Sequence, residues 1–156
     1  MNFLQAFSGR VAYRVRQFFS VLFPRIDQEL WREARDRLPP TWRKPFDRLR
    51  PSETAHVIRL YKTIKNDTNL GEADREELIL LALTHDLGKG VTRPTLFEKV
   101  VKALLPIPNR AHPILGARIL QRLGATATLI RRVRNHHRPA QKDRLLRIFQ
   151  TYDNSL

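Results

Sequence analysis

The chain contains no cysteine in 156 residues. This absence excludes disulfide bonds, thiolate metal ligands and cysteine nucleophiles. Any metal ion in this protein must therefore be bound by imidazole and carboxylate groups. Histidine is the scarce member of that donor set, with five residues, so the histidine positions carry most of the information about a metal site.

Acidic residues are also in short supply. The chain has 15 Asp and Glu against 29 Lys and Arg, which gives a formal net charge of +14 at pH 7. This charge either serves general solubility or favours an anionic partner: a phosphorylated small molecule, nucleic acid or an acidic membrane face. It supports a phosphate-related function without selecting the substrate.

Long apolar runs are missing as well. No stretch approaches the roughly 18 uninterrupted apolar residues expected of a membrane-spanning helix. The apolar residues near the start are interrupted by Arg10, Arg14 and Arg16, and no small-residue cleavage site follows. We therefore expect a cytoplasmic protein without a spanning segment or a cleavable signal.

Helical periodicity runs through nearly the whole chain, and no convincing period-2 strand pattern interrupts it, which predicts an all-α protein. Four prolines in residues 38–51 indicate a connector. It separates a predicted N-terminal helical extension, residues 1–50, from a main domain, residues 51–156. For that domain we predict a bundle of about five to six core helices. The predicted helices cover residues 2–23, 26–37, 52–66, 72–86, 94–105, 111–123, 125–137 and 141–153.

The helix predicted over residues 72–86 ends in the doublet His85-Asp86. Apolar residues occupy nearly all faces of this helix, which predicts that it is the central buried helix. Gly88 and Gly90 are predicted to end it. Ionisable side chains buried there must be paired or coordinate a metal, because burying them bare is too costly. Ser52 is the predicted N-cap of the preceding helix.

The remaining histidines and one aspartate extend the apolar stripes of their own helices. His56 lies one turn before Leu60, and His112 shares a face with Leu115 and Ile119. Several helices thus direct imidazoles or carboxylates toward a common interior, which is how helical bundles build metal sites. The candidate ligands are His56, His85, Asp86, His112, His136, His137 and Asp153.

Five sequence elements in a fixed order give these residues a family context. In chain order they are residues 53–57 around His56, 85–89 (His-Asp-Leu-Gly-Lys), 112–117 (His-Pro-Ile-Leu-Gly-Ala), 135–137 (Asn-His-His) and 152–154 (Tyr-Asp-Asn). Their order and spacing resemble the HD superfamily of metal-dependent phosphohydrolases, in particular the branch whose doublet reads His-Asp-Ile-Gly-Lys. The resemblance covers residues 52 to 156.

The resemblance implies a site for two divalent transition metal ions. One ion would be held by His56, His85, Asp86 and Asp153. A second position would use His112, His136 and His137, with Asp86 bridging both ions. Imidazole and carboxylate suit Fe, Mn, Zn, Co or Ni. Two close ions can activate a shared water and neutralise charge on a phosphoryl group.

Several other residues lie close in sequence to these ligands. We expect catalytic roles for Asp86 and for Lys89, which follows the doublet within one turn and is the best candidate for a phosphate-binding or acid role. Thr84 and Asn135 are expected to orient ligands, because they adjoin them. Further candidates for substrate phosphate are Arg93, Arg134 and Arg138.

We therefore expect an enzyme that hydrolyses a phosphate ester of a nucleotide or a related phosphorylated small molecule. The family branch that degrades cyclic dinucleotides carries Gly-Tyr-Pro after its paired histidines, whereas this chain has Arg138-Pro139-Ala140. That specific substrate is therefore not inherited. A nucleotide, a cyclic nucleotide and a small phosphomonoester remain open. The alternatives are a non-catalytic nucleotide- or RNA-binding module and, less favoured, a di-iron oxygenase.

Residues 1–24 lie outside the resemblance. Their phenylalanines alternate with Arg10, Arg14 and Arg16, which is typical of a basic amphipathic helix on an anionic membrane. A peripheral contact at the inner membrane face is one hypothesis. Packing of this stripe against the domain, or a dimer contact, is the favoured alternative.

Overall fold

The computed structural model describes residues 25–91, 111–140 and 142–156. Within them the chain forms seven α-helices and one 3-10 turn, without a strand. The predicted all-α helical bundle is therefore confirmed. The elements are α1 Gln28–Asp36, α2 Pro40–Phe46, α3 Pro51–Asn66, α4 Glu72–Thr84, the 3-10 turn Leu87–Gly90, α5 Ala111–Arg122, α6 Ala127–Asn135 and α7 Arg144–Ser155.

Three predictions fall on residues that the structure does not describe. They are the helices at 2–23 and 94–105 and the membrane-binding face of residues 1–24. Among the described residues, no helix has the length and apolar character needed to cross a membrane.

Side-chain caps explain where three helices begin. The carboxylate of Asp27 accepts from the backbone N–H groups of Glu29 and Leu30 at the start of α1. Thr126 and Asp143 cap α6 and α7 in the same way. Such caps satisfy N–H groups that have no partner within the helix, and they place these helices within three residues of their predicted bounds.

The predicted connector at 38–51 was wrong over Pro40–Phe46, which forms α2. Pro40 lies in the first turn, where its fixed φ suits a helix and its missing N–H costs nothing. Trp42 and Phe46, four residues apart, lie on the same face and are both buried. Their burial stabilises a short helix in a segment whose prolines predict a connector.

Two predicted helix boundaries also need correction. Arg50, not Ser52, is the N-cap of α3, and Pro51 is its first residue. Helix α4 ends at Thr84, so Gly88 and Gly90 lie in the following 3-10 turn instead of ending the helix. The requirement for glycine at position 88 comes from close packing against α5, which local sequence does not reveal.

One continuous hydrophobic core joins all the described helices. Its largest fully buried side chains include Phe46, Tyr61 and Phe149, from α2, α3 and α7. Helix α1 contributes Ala34 to the same core. The proposed division of the chain at residue 50 stays a prediction. The packing of α4 against α3, α6 and α7, and of the 3-10 turn against α5, brings the ends of these elements together.

Candidate metal centre

The doublet His85-Asp86 lies where the ends of these helices and of the 3-10 turn meet. His85 and Asp86 are each only 1% exposed. His85 Nδ1 lies 2.9 Å from the carbonyl oxygen of Ala82 in its own helix. Because a carbonyl only accepts, Nδ1 must carry the proton, which leaves Nε2 of the neutral ring with a lone pair. The local backbone therefore sets the ring orientation and the tautomer that metal binding requires.

A first group of donors surrounds His85 Nε2. Asp153 Oδ1, from α7, lies 3.7 Å from this atom and 2.9 Å from His56 Nε2 of α3. The three donor atoms lie within 4.8 Å of one another, a spacing that could hold one metal ion. Residues 97 positions apart in sequence thus meet at this point.

A second group consists of His112, His136 and His137. The Nε2 atom of His112 lies 3.3 Å from that of His136 and 3.1 Å from that of His137. His136 Nδ1 donates to the carbonyl oxygen of Val133 at 2.7 Å, so its Nε2 atom is also directed inward with a lone pair. His137 is exposed, whereas the other two are buried. These three donor atoms form a second group that could hold a metal ion.

Asp86 lies between the two groups. Its Oδ2 atom is 3.4 Å from His85 Nε2 and accepts a 2.6 Å hydrogen bond from Lys89. Its Oδ1 atom is 3.5 Å from His112 Nε2. Within the described parts of the chain, this buried oxygen has no hydrogen-bond donor. A buried carboxylate oxygen without a donor is costly, and a divalent cation would satisfy it.

At Asp86 and in the second donor group, the electrostatics favour the protonation states that bind metal. Burial, followed by repulsion from His85, lowers the pKa of His136 to about 3, so its imidazole is neutral at pH 7. Burial also lowers the pKa of His137. Burial opposes ionisation of Asp86, but attraction and hydrogen bonding from His85 and Lys89 hold its carboxyl pKa well below the usual range. The site therefore offers an ionised carboxylate beside the neutral imidazoles of His136 and His137.

His85 and Asp153 shift in opposite directions. Burial opposes the charging of His85, but the attraction and hydrogen bonding of Asp86 outweigh it and raise the His85 pKa. Burial opposes ionisation of Asp153, but its hydrogen bond with His56 lowers the pKa of that carboxyl. Both shifts reflect a cluster in which imidazoles and carboxylates stabilise each other's charged forms.

The predicted phosphate-binding residues differ in exposure and in their position relative to the metal centre. Lys89 contacts Asp86 directly and its side chain is 27% exposed, so it lies at the edge of the centre. Arg134 and Arg138 are exposed. Arg93 lies outside the described residues. The roles of all predicted site residues stay predictions, although the structure brings the seven proposed ligands together.

Thr84 and Asn135 were expected to orient ligands, which stays a prediction, because the hydrogen bonds of their side chains go to the backbone. Thr84 Oγ1 donates to the carbonyl of Leu80, and Asn135 Nδ2 donates to that of Arg131. Both side chains return to the backbone of their own helix, which is common for short polar residues.

Sequence reasoning missed one support of the centre, Gln150, and one ion pair at the start of α3, the helix that carries His56. Gln150 Nε2 of α7 donates to the carbonyl oxygens of His136, at 2.9 Å, and Arg138, at 2.6 Å. Arg50 Nε donates to the carboxylate of Glu53, whose other oxygen accepts the Arg50 backbone N–H. The only sequence feature that marks Gln150 is its position directly after the buried Phe149, which does not indicate its hydrogen bonds. Pro51 was a visible start signal for α3, because proline is favoured at the first helical position.

Comparison with protein families returns one relevant match. The family model described as the HD domain matches residues 52–155. These residues contain every candidate ligand and, of the described helices, α4 to α7 and all of α3 except Pro51. No curated protein and no solved structure matches the chain. Since the family match covers most of the chain, this protein belongs to the HD domain family, whose members are generally metal-dependent phosphohydrolases.

Proposed function

We propose that this protein is a metal-dependent phosphohydrolase that cleaves a phosphate ester of a nucleotide or a related phosphorylated small molecule. The observation that carries the proposal is the position of Asp86. Its carboxylate lies between two groups of convergent donor atoms, and its Oδ1 atom lacks a donor among the described residues. Such an arrangement suits a carboxylate shared by two cations.

The donor atoms suggest which residues would hold each ion. His56, His85 and Asp153 would hold one, His112, His136 and His137 the other, and Asp86 would serve both. Nitrogen and oxygen donors without thiolate suit Fe, Mn, Zn, Co or Ni. Divalent ions, when bound, supply Lewis-acid activation of water and of the phosphoryl group.

The protein's own side chains supply positioning and charge. The backbone carbonyls of Ala82 and Val133 hold His85 and His136 in the tautomer with Nε2 directed inward. Lys89 places an ammonium group beside Asp86 at a partly exposed position. A substrate phosphate that approaches there would meet a fixed positive charge, which lowers the cost of charge that develops on phosphoryl oxygens.

Reconstitution with Mn or Fe, followed by a screen of phosphate release from a nucleotide panel, tests the proposal. We expect bound metal by elemental analysis and release that is lost in His85→Ala and Asp86→Asn. Asp143→Asn, which removes a carboxylate outside the centre, is the matched control and should keep activity. Absence of both bound metal and phosphate release in the wild-type chain contradicts the proposal.

A further inference from the structure

Positive charge is concentrated in one part of the molecule. Residues 25–91 contain nearly equal numbers of basic and acidic side chains, whereas Asp143 and Asp153 are the sole carboxylates in the sequence 111–156, which is rich in arginine. Asp153 lies in the metal centre and Asp143 caps α7. The surface of α5, α6 and α7 is therefore strongly basic.

Helix α6 directs much of this charge to solvent. Its buried face carries Leu129 and Val133, while Arg131 and Arg134 are exposed on the other side. Arg138 follows in the turn after the helix. It lies seven positions beyond Arg131, a separation of about 10 Å at the rise of a helix. Helix α6 contains no carboxylate, so nothing within it neutralises this row of arginines.

The row begins at a basic surface depression and ends at the metal centre. An open surface depression of about 360 Å³ lies between α6 and the start of α7. Arg131, Lys142 and Arg144 line it together with Asp143. The side chains of Arg131 and Arg144 are 63% and 61% exposed. At the other end, Arg138 adjoins His137, the exposed member of the second donor group. We call Arg131, Arg134, Arg138, Lys142 and Arg144 the basic face.

The acidic partners of this face are already engaged. Asp143 accepts from the Leu146 backbone N–H and from Arg132 Nε, at 2.9 Å, and lies 3.5 Å from Arg131. Arg144 pairs with Asp74 at the surface. The Arg131–Asp143 and Arg144–Asp74 pairs each include an exposed arginine, and exposed pairs contribute little to stability. The face therefore keeps an excess of positive charge available to a ligand.

We propose that the basic face binds the phosphodiester backbone of a single-stranded nucleic acid whose end enters the metal centre. The face extends well beyond a single phosphate, which favours a polymer of phosphates over a mononucleotide. The doublet is nearly fully buried, so a flexible chain end reaches it more easily than a duplex. The entry of the end rests on the proposed function and extends its substrate from a free nucleotide to the terminal nucleotide of a strand. Binding to the face does not depend on that function.

The surface chemistry favours nucleic acid over a lipid membrane. The large exposed apolar side chains of the described residues are Val91, Ile114 and Leu156, none of which lies on α6 or in the turn after it. Insertion into a membrane interface requires apolar side chains beside the basic ones. Helix α6 also lacks aromatic residues, so we expect backbone contacts without base stacking and hence little sequence preference.

Fluorescence anisotropy with labelled 12-nucleotide RNA and DNA tests the proposal. All measurements use the full chain with Asp86→Asn, which removes the proposed hydrolysis, over a series of salt concentrations. The test variant carries Arg131→Gln, Lys142→Gln and Arg144→Gln. The control carries Arg32→Gln, Lys44→Gln and Lys62→Gln, three exposed cations that form no ion pair within the described residues and give the same change in net charge.

We expect salt-sensitive binding that the test variant weakens about tenfold or more. Each lost phosphate contact should reduce the slope of log K against log salt by about 0.7, so three lost contacts should reduce it by about 2. The control variant should keep the parental slope. Equal loss in both variants, or no binding by the parent chain, overturns the proposal.

Two further measurements separate the alternatives. Both variants should co-sediment equally with phosphatidylglycerol vesicles; loss of vesicle binding in the test variant, with RNA and DNA binding kept, overturns the proposal in favour of a membrane. Phosphate release from mononucleotides is measured on the wild-type chain. Its absence, together with face-dependent nucleic-acid binding, rejects the proposed enzymatic function but supports the binding surface.

Discussion

Gly88 packs directly against the backbone of His112. A Cβ atom at position 88 would lie 2.0 Å from the His112 carbonyl oxygen and 2.7 Å from the Gly116 backbone nitrogen. Real Cβ atoms do not approach that closely. This contact between the 3-10 turn and α5 brings Asp86 to 3.5 Å from His112 Nε2, and it therefore joins the doublet to the second donor group.

Gly88→Ala should separate these two elements. Overpacking typically costs about 1–3 kcal/mol, and here the obstructing atoms belong to backbone, so we expect at least that loss. Thermal unfolding and metal stoichiometry measure the effect. Gly71→Ala is the control, since a Cβ there meets nothing within 4 Å. Wild-type stability and metal content in Gly88→Ala would contradict the packing described.

The two donor groups should respond separately to substitution. His56→Ala should remove one equivalent of bound metal and His136→Ala the other, whereas Asp86→Asn should reduce both, because Asp86 lies between the groups. Elemental analysis after reconstitution with Mn or Fe measures the stoichiometry, with Asp143→Asn as the control. A wild-type stoichiometry of one, or simultaneous loss of all metal in His136→Ala, would count against two positions.

Gln150 should act through the second donor group. Gln150→Ala removes hydrogen bonds to the carbonyls of His136 and Arg138, and loss of such supporting contacts typically lowers metal affinity about 10–100-fold. Gln150→Glu should be worse, because a carboxylate cannot donate to a carbonyl. Metal titration of the second equivalent measures both, with exposed Gln121→Ala as the control. Unchanged affinity in Gln150→Glu would exclude this positioning role.

Lys89 should affect turnover more than metal binding. Lys89→Gln keeps a polar side chain, one atom shorter, but removes the cation beside Asp86. Loss of one charge-stabilising group typically lowers kcat about 100-fold. Lys89→Arg should retain part of the activity. Steady-state kinetics and metal content are measured on the same preparations, with Lys62→Gln as the control. Full activity in Lys89→Gln would remove Lys89 from the mechanism.

The Asp143–Arg132 pair predicts a loss of stability in acid. Burial opposes ionisation of Asp143, but hydrogen bonds from Arg132 and from the Leu146 backbone lower its pKa below the ordinary 3.8. Its contribution, about 1–2 kcal/mol for a charge-assisted bond, is therefore present above about pH 4. It is lost as pH falls through the lower pKa of the folded state.

Asp143→Asn isolates this contribution, because asparagine still caps a helix but cannot ionise. The difference in Tm between the wild type and this variant should be largest near pH 6 and should shrink below pH 4. Arg132→Gln should remove the same pH-dependent part. A Tm difference that stays constant from pH 6 to pH 3 would contradict the ionic origin.

Tertiary packing overrides two local signals of the sequence. Prolines at 39, 40 and 45 argued for a connector, yet Pro40 fits a first turn and the burial of Trp42 and Phe46 stabilises α2. Gly88 was read as a stop signal for α4, although its small size serves contact with His112. In both cases tertiary packing overrides a local preference, and no single-segment pattern contains that information.

The sequence by itself determined the all-α class, the donor chemistry and the ordered motif around His85-Asp86. These follow from periodicity, from the lack of cysteine and from residue identity, all of which are local. Only the tertiary structure decided that His56 meets Asp153 and that Asp86 lies between two donor groups. Periodicity places a residue on a helix face, but the distance between residues on different helices depends on how the helices pack.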